Sequence, residues 1–170
     1  MSRIDRSVLE SFFPSHWEIF SVGKPGGKIT DMREMAPYYI NVYTPDYVFV
    51  QIGGNDIKRN TNPSLILFDL METIYYIKNL GPFSVFVGGI FPRSNPRFIE
   101  SNDYCKIKSF LNKQLYFSCE HSHNIFFCST RKFKMSDLCH DGVHLSKKGQ
   151  SKWLREVSSC IKRQLPVVKF

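Results

Sequence analysis

The chain has 170 residues, 42% of them hydrophobic and 22% charged, with a formal net charge of +8; this is the size and composition of one globular domain and excludes a disordered chain. No apolar run approaches the roughly 20 residues of a membrane-spanning helix, and the opening MSRIDRSVLESFF lacks the uninterrupted apolar stretch of a signal peptide, so a soluble cytoplasmic protein is expected. The positive balance is compatible with nucleic acid, anionic membrane or acidic substrates. No nucleic-acid-binding motif accompanies it, and the basic clusters at Lys58-Arg59, Arg131-Lys132-Phe133-Lys134 and Lys147-Lys148 are scattered, so a solvated basic surface is the preferred reading.

In chain order, residues 7–13 read as a short helix stopped by Pro14, and residues 18–22 (EIFSV) as a short strand. Gly23-Lys24-Pro25-Gly26-Gly27 is a turn cluster. Thr30 or Asp31 is placed to cap a helix over MREMAPYYI, which Pro37 should limit or kink. Residues 47–52 (YVFVQI) form a nearly continuous apolar, β-forming run, the pattern of a strand buried on both faces of a parallel sheet. Gly53-Gly54-Asn55-Asp56 follows at once. Asn62-Pro63-Ser64 then opens a long helix reaching Asn79, with Leu65, Phe68, Leu70, Ile74 and Ile77 on its predicted apolar face and Gly81-Pro82 beyond its end.

Residues 83–90 (FSVFVGGI) read as a second buried strand, followed by a polar loop with Arg93 and Arg97. A helix is predicted over 99–116, a last strand over 124–128 (NIFFC), a loop over 129–145 and a final helix over 146–163. Strand, loop and helix in alternation predict right-handed βαβ units and a parallel sheet with helices on both faces. Functional loops of such sheets lie at the carboxyl ends of the strands.

The five cysteines, at 105, 119, 128, 139 and 160, are odd in number, irregularly spaced and free of any CxxC. That pattern argues against a disulfide framework and against a zinc site. Cys119, His121 and His123 match no common ligand spacing, and a helix end running into a polar loop explains them. No metal is expected.

Two motifs carry chemistry. Asp141-Gly142-Val143-His144 places a carboxylate three residues before an imidazole, where it can fix the tautomer and leave the other ring nitrogen as a base. The spacing alone is a weak signal, and a capped surface loop would also produce it. Gly53-Gly54-Asn55-Asp56 lets the backbone turn sharply and offers an Asn NH₂ to a developing oxyanion, although a tight turn alone would select the same residues.

In their order, and in their placement at predicted strand ends, these motifs resemble those of the SGNH (GDSL-like) hydrolases. The resemblance runs from about Trp17 to the final helix. Gly26 looks like that family's second-block glycine, with Gly27 as the alternative. Gly53-Gly54-Asn55-Asp56 is similar to the G-x-N-D block and Asp141-Gly142-Val143-His144 to the D-x-x-H block.

The resemblance implies a flavodoxin-like three-layer α/β/α fold with a parallel sheet. It implies a serine ester hydrolase in which His144 is the base, Asp141 its partner, and Asn55 and Gly26 bind the oxyanion. The implied substrate is a small-molecule, glycan or lipid ester, with no metal or organic cofactor. Arg93 and Arg97 could border the pocket, although side chains facing solvent are the preferred reading.

One block is absent. No Gly-Asp-Ser, the family's source of the nucleophilic serine, occurs in the 170 residues. Ser2 lacks a preceding strand to hold its oxygen in a strained turn. The expectation is therefore a single domain over 1–170 that is N-terminally incomplete, with its first strand missing and no activity as it stands. The alternatives are a catalytically dead binding module of the same fold, or an esterase-like domain of a retroelement-type nucleic-acid-handling protein.

Overall fold

A computed structural model describes residues 6–165 of the chain; Ser2 lies outside them. The elements run α1 (Arg6–Glu10), α2 (Ile29–Tyr43), β1 (Tyr47–Val50), α3 (Pro63–Asn79), β2 (Ser84–Gly88), α4 (Ser101–Glu120), β3 (Ile125–Cys128), a 3₁₀ turn (Met135–Asp137) and α5 (Lys147–Gln164). The three strands are parallel in the order β1-β2-β3, with Val48 opposite Val85 and Val85 opposite Ile125. Each crossover passes through one long helix, as parallel neighbours require.

Alternation along the strands sends different chemistry to the two faces. Val48, Val50, Val85, Val87, Ile125 and Phe127 join the main core, packed with Ile66, Leu70, Ile74 and Ile77 of α3 and with Tyr104, Leu111 and Leu115 of α4. Tyr47, Phe49, Phe86 and Phe126 point the other way, onto Trp153, Val157 and Ile161 of α5 and onto Phe13 and Trp17. The result is a layer of helices on each side of an open parallel sheet, the predicted α/β/α arrangement.

Several expectations are corrected. Residues 18–22 form no strand. Among the described residues the sheet consists of β1, β2 and β3, and none of them pairs with EIFSV, so the segment has no ladder to join. Pro37 does not end α2, which continues to Tyr43. An interior proline costs a helix about 3 kcal/mol, and here the second half of α2 is held by burial of Ile40 and by Tyr43 stacking on Phe20 at 3.9 Å.

The N-cap position of α2 is Lys28, not Thr30 or Asp31, which lie inside the helix; the Lys28 backbone N–H donates to the Asp31 carboxylate at the third helical position at 2.8 Å. On α3 the buried stripe is Ile66, Leu70, Thr73, Ile74 and Ile77, whereas Leu65 and Phe68 are each 62% exposed. The sequence shows apolar residues on more of α3 than the sheet can cover. As predicted, Asn62 caps that helix by accepting from Ser64 N–H at 2.9 Å, with Pro63 at the first position.

The cysteine pattern argued against a disulfide framework, yet one disulfide forms: Cys128 and Cys160 are bonded, their Cα atoms 5.8 Å apart. The pairing joins the last residue of β3 to α5, and only the packing of α5 on the sheet brings these residues together. Such bonds persist in oxidising compartments, an observation that runs against the cytoplasmic expectation. Cys119 is a core residue, and burial pushes its thiol up to about 12. Among the described residues no helix is long and apolar enough to cross a membrane.

Candidate active site

The loop after β3 is folded back on itself before α5 begins. Leu138 and Leu145 form an antiparallel bridge, Cys139 N–H donates to the His144 carbonyl at 2.7 Å, and Gly142 N–H donates to the Cys139 carbonyl at 3.0 Å. The base of this loop is anchored to α5. Ser146 donates to the Asp137 carbonyl through both its N–H (2.9 Å) and its hydroxyl (3.0 Å), while its oxygen caps Gly149 N–H at 3.1 Å. The Asp137 carboxylate receives Lys152 Nζ at 2.7 Å and Lys134 N–H at 2.9 Å.

At the tip of the loop, Asp141 and His144 meet. One carboxylate oxygen accepts the backbone N–H groups of Val143 and His144, each at 2.9 Å; the other lies 2.5 Å from His144 Nδ1. These three contacts, the imidazole first and then the two backbone N–H groups, hold the Asp141 carboxyl well below the usual carboxylate range. With Nδ1 facing a carboxylate, Nε2 is the nitrogen left to take a proton. Both side chains are about half exposed.

At the end of β1 a second cluster forms. Gly53 adopts φ +102°, and a Cβ there would press on Ile90 and Leu70 at 3.2 and 3.4 Å. The turn it permits sends Asn55 and Asp56 toward the loop before α2. Asn55 Nδ2 donates to the Gly27 carbonyl at 2.9 Å, and Asp56 accepts the Ile29 N–H at 3.4 Å. Burial pushes the Asp56 carboxyl up, against the pull of that N–H. Asn and Asp in G-x-N-D thus hold successive parts of one neighbouring loop, a role the sequence did not reveal.

In that loop Gly26 is exposed at φ +67°, and Gly27 N–H donates to the Lys24 carbonyl at 3.0 Å. Gly26 N–H has no hydrogen-bond partner among the described residues. Of the two glycines it is therefore the one with an open donor.

Sequence reasoning gave Arg93 to solvent, and this is corrected. Its Nη2 donates to Asn55 Oδ1 at 2.9 Å, and its guanidinium lies 5.4 Å from the Tyr104 ring centroid. Gly54 leaves the room for this: a Cβ there would come within 2.9 Å of Arg93 Nη2 and 3.2 Å of the Tyr104 hydroxyl. An arginine directly after Phe91-Pro92, in the loop that follows β2 and faces G-G-N-D, was the available signal. Arg97 is exposed, beside Phe98 at 5.2 Å, as expected.

The next two residues reach the other cluster. Ser94 and Asn95 N–H groups donate to the Gly142 carbonyl at 2.9 and 3.4 Å. The loop at the end of β2 therefore touches Asn55 at one side and the Asp141–His144 loop at the other. All of these groups belong to loops leaving the carboxyl ends of β1, β2 and β3 or to the loop before α2, which is where open α/β sheets bind ligands. Among the described residues no group of three His, Cys, Asp or Glu is placed to hold a metal ion.

No family model and no curated protein sequence matches the chain. Solved structures do match. The chain is similar to a protein of Bacteroides fragilis assigned as an acylhydrolase (TM-score 0.69, 16% identity, 83% of this chain and 73% of that one). It is similar to a GDSL-like lipase of Bacteroides thetaiotaomicron (0.64, 14%, 82% and 73%) and to a carbohydrate esterase family 3 structure from Talaromyces cellulolyticus (0.60, 17%, 81% and 67%). Identities this low speak to fold alone, and on that ground the chain has the α/β fold of the SGNH, GDSL-like hydrolases.

Proposed function

We propose that this chain supplies the acid–base and oxyanion-binding parts of a serine ester hydrolase. His144 Nε2 takes the proton of an attacking serine hydroxyl and Asp141 holds the imidazole in orientation. The free Nδ2 hydrogen of Asn55 and the open N–H of Gly26 receive the negative oxygen of the tetrahedral intermediate. His144 then returns its proton to the leaving alcohol, and water, activated the same way, releases the acid. The substrate is a small-molecule, glycan or lipid ester. The observation that carries this reading is the 2.5 Å contact between Asp141 and His144 Nδ1, on a strand-end loop tied to the one that holds Asn55. Likeness of fold to esterases and a lipase supports it.

With no Gly-Asp-Ser in these 170 residues, the chain alone is expected to be inactive. The test is p-nitrophenyl acetate hydrolysis by the 170-residue chain and by the longest in-frame product of its gene, each beside His144→Ala. Turnover by a longer form that falls about 10³-fold or more in His144→Ala supports the reading. A longer form that carries a G-D-S and is folded, yet inert on acetyl, acyl and glycan esters, refutes it in favour of a binding module. His144-dependent turnover by the 170-residue chain would mean that the nucleophile lies within it.

A further inference from the structure

Asn55 is held at both ends of its amide by groups of opposite polarity. The Gly27 carbonyl accepts from Nδ2 at 2.9 Å and Arg93 Nη2 donates to Oδ1 at 2.9 Å. Flipping the amide would set NH₂ against a guanidinium, which is donor-only, and Oδ1 against a carbonyl, which is acceptor-only. The amide therefore has one stable orientation, and in it one Nδ2 hydrogen stays free.

Arg93 itself is fixed from several sides. Its carbonyl accepts from Ser101 Oγ at 3.2 Å, its guanidinium lies against Tyr104, and the Tyr104 hydroxyl donates to the Phe91 carbonyl at 3.2 Å. Burial pushes that phenol up to about 12, so it remains a neutral donor. No salt bridge among the described residues engages Arg93, so its guanidinium donates to Asn55 Oδ1 without a competing carboxylate in direct contact.

The chain then runs straight to the other half of the site. Ser94 and Asn95 N–H groups both donate to the Gly142 carbonyl, next to Asp141 and two residues before His144. Gly142 sits at φ +68°, and a Cβ there would overlap Ser94 Oγ and come within 2.9 Å of Asn95 N and Cβ. The approach is close enough that only glycine allows it.

We infer that residues 93–95 form a strut between the oxyanion donor and the acid–base pair, with Arg93 a positioning residue for Asn55. Its meaning for catalysis rests on the esterase reading above; its existence does not. The test therefore reads geometry rather than turnover. Side-chain amide NMR of the ¹⁵N-labelled chain compares wild type, Arg93→Met, Arg93→Lys and Gly142→Ala, with Asn55→Ser identifying the Asn55 signals.

In wild type the two Asn55 Nδ2 protons should be well separated and slow to interchange, one bonded and one free. Arg93→Met should collapse the separation and speed interchange about tenfold or more, the consequence of losing a hydrogen bond to a charged group. Arg93→Lys, with one point donor, should restore part of it. Gly142→Ala should move the Asn55 signals although residue 142 does not hydrogen-bond Asn55, while Ile161 signals on α5 stay in place. Unchanged Asn55 signals in Arg93→Met or Gly142→Ala, whichever is folded, overturn the strut. If those signals shift in an enzyme form that never turns over esters, the strut stands and the esterase reading alone falls.

Discussion

Reducing the Cys128–Cys160 disulfide opens a loop whose ends are 32 residues apart and which encloses both Asp141 and His144. The chain-entropy relation gives about 12 cal/mol/K for a loop of this size, or about 3.7 kcal/mol at 25 °C. Both cysteines are 5% exposed and remain among apolar neighbours, so the reduced thiols keep the packing and the loss falls mainly on the unfolded chain. For a domain of this length each kcal/mol moves the melting temperature by about 2–4 °C, so reduction should lower Tm by roughly 7–15 °C. The assay is thermal unfolding by circular dichroism with and without dithiothreitol, beside Cys160→Ala, whose Tm should not respond to reductant. Thiol labelling of the unreduced protein should reach exposed Cys139 readily and buried Cys119 hardly at all. A wild-type Tm that ignores the reductant would refute the reasoning, because it would mean that the bond does not form or does not constrain the unfolded chain.

Two further outcomes are expected. Asp141 has its folded pKa lowered, by the His144 ring first and then by the N–H groups of His144 and Val143. Its contribution to stability should be complete above 3.8, the unperturbed value, and be lost as pH falls through the lower folded midpoint. With the pair about half exposed, solvent screening keeps that contribution small. A ¹³C titration of the Asp141 carboxyl should show a midpoint below 3.8, and one at or above it would contradict the geometry. Gly149→Ala would drive a Cβ into the Asp137 carbonyl oxygen, a backbone atom that also holds Ser146. Urea unfolding should show a loss of about 1–3 kcal/mol, the usual cost of overpacking; a loss within about 0.5 kcal/mol, ordinary for a surface change, would mean that the loop moves freely there.

The sequence by itself was enough for the alternation of strand and helix, because YVFV, SVFVG and IFFC are short β-forming runs set between long helical segments and punctuated by Gly, Pro and Asn. It was enough to place Asn55, Asp141 and His144, because motifs at the ends of buried strands fall on one edge of a parallel sheet whatever the exact packing. Local spacing also sufficed for the Asp141–His144 contact, since three residues of one turn bring the two side chains together. Gly26 was legible as a turn glycine, but that its N–H is open while that of Gly27 is bonded to the Lys24 carbonyl appears only in the folded loop.

Other features depend on contacts between parts of the chain far apart in sequence. A strand needs a partner, and among the described residues EIFSV finds none, so its β-forming composition goes unused. Pro37 stays inside a helix because Ile40 and Tyr43 pack beyond it. Cys128 and Cys160 bond because α5 lies across the aromatic face of the sheet, a pairing that no cysteine spacing announces. Arg93 turns inward because Gly54 leaves a space beside Tyr104 that only the folded loops create. Local propensity and periodicity act over a few residues and can be read along the chain, whereas pairing, stacking and hydrogen bonding across 38 residues, the separation of Arg93 from Asn55, exist only once the sheet has set the loops side by side.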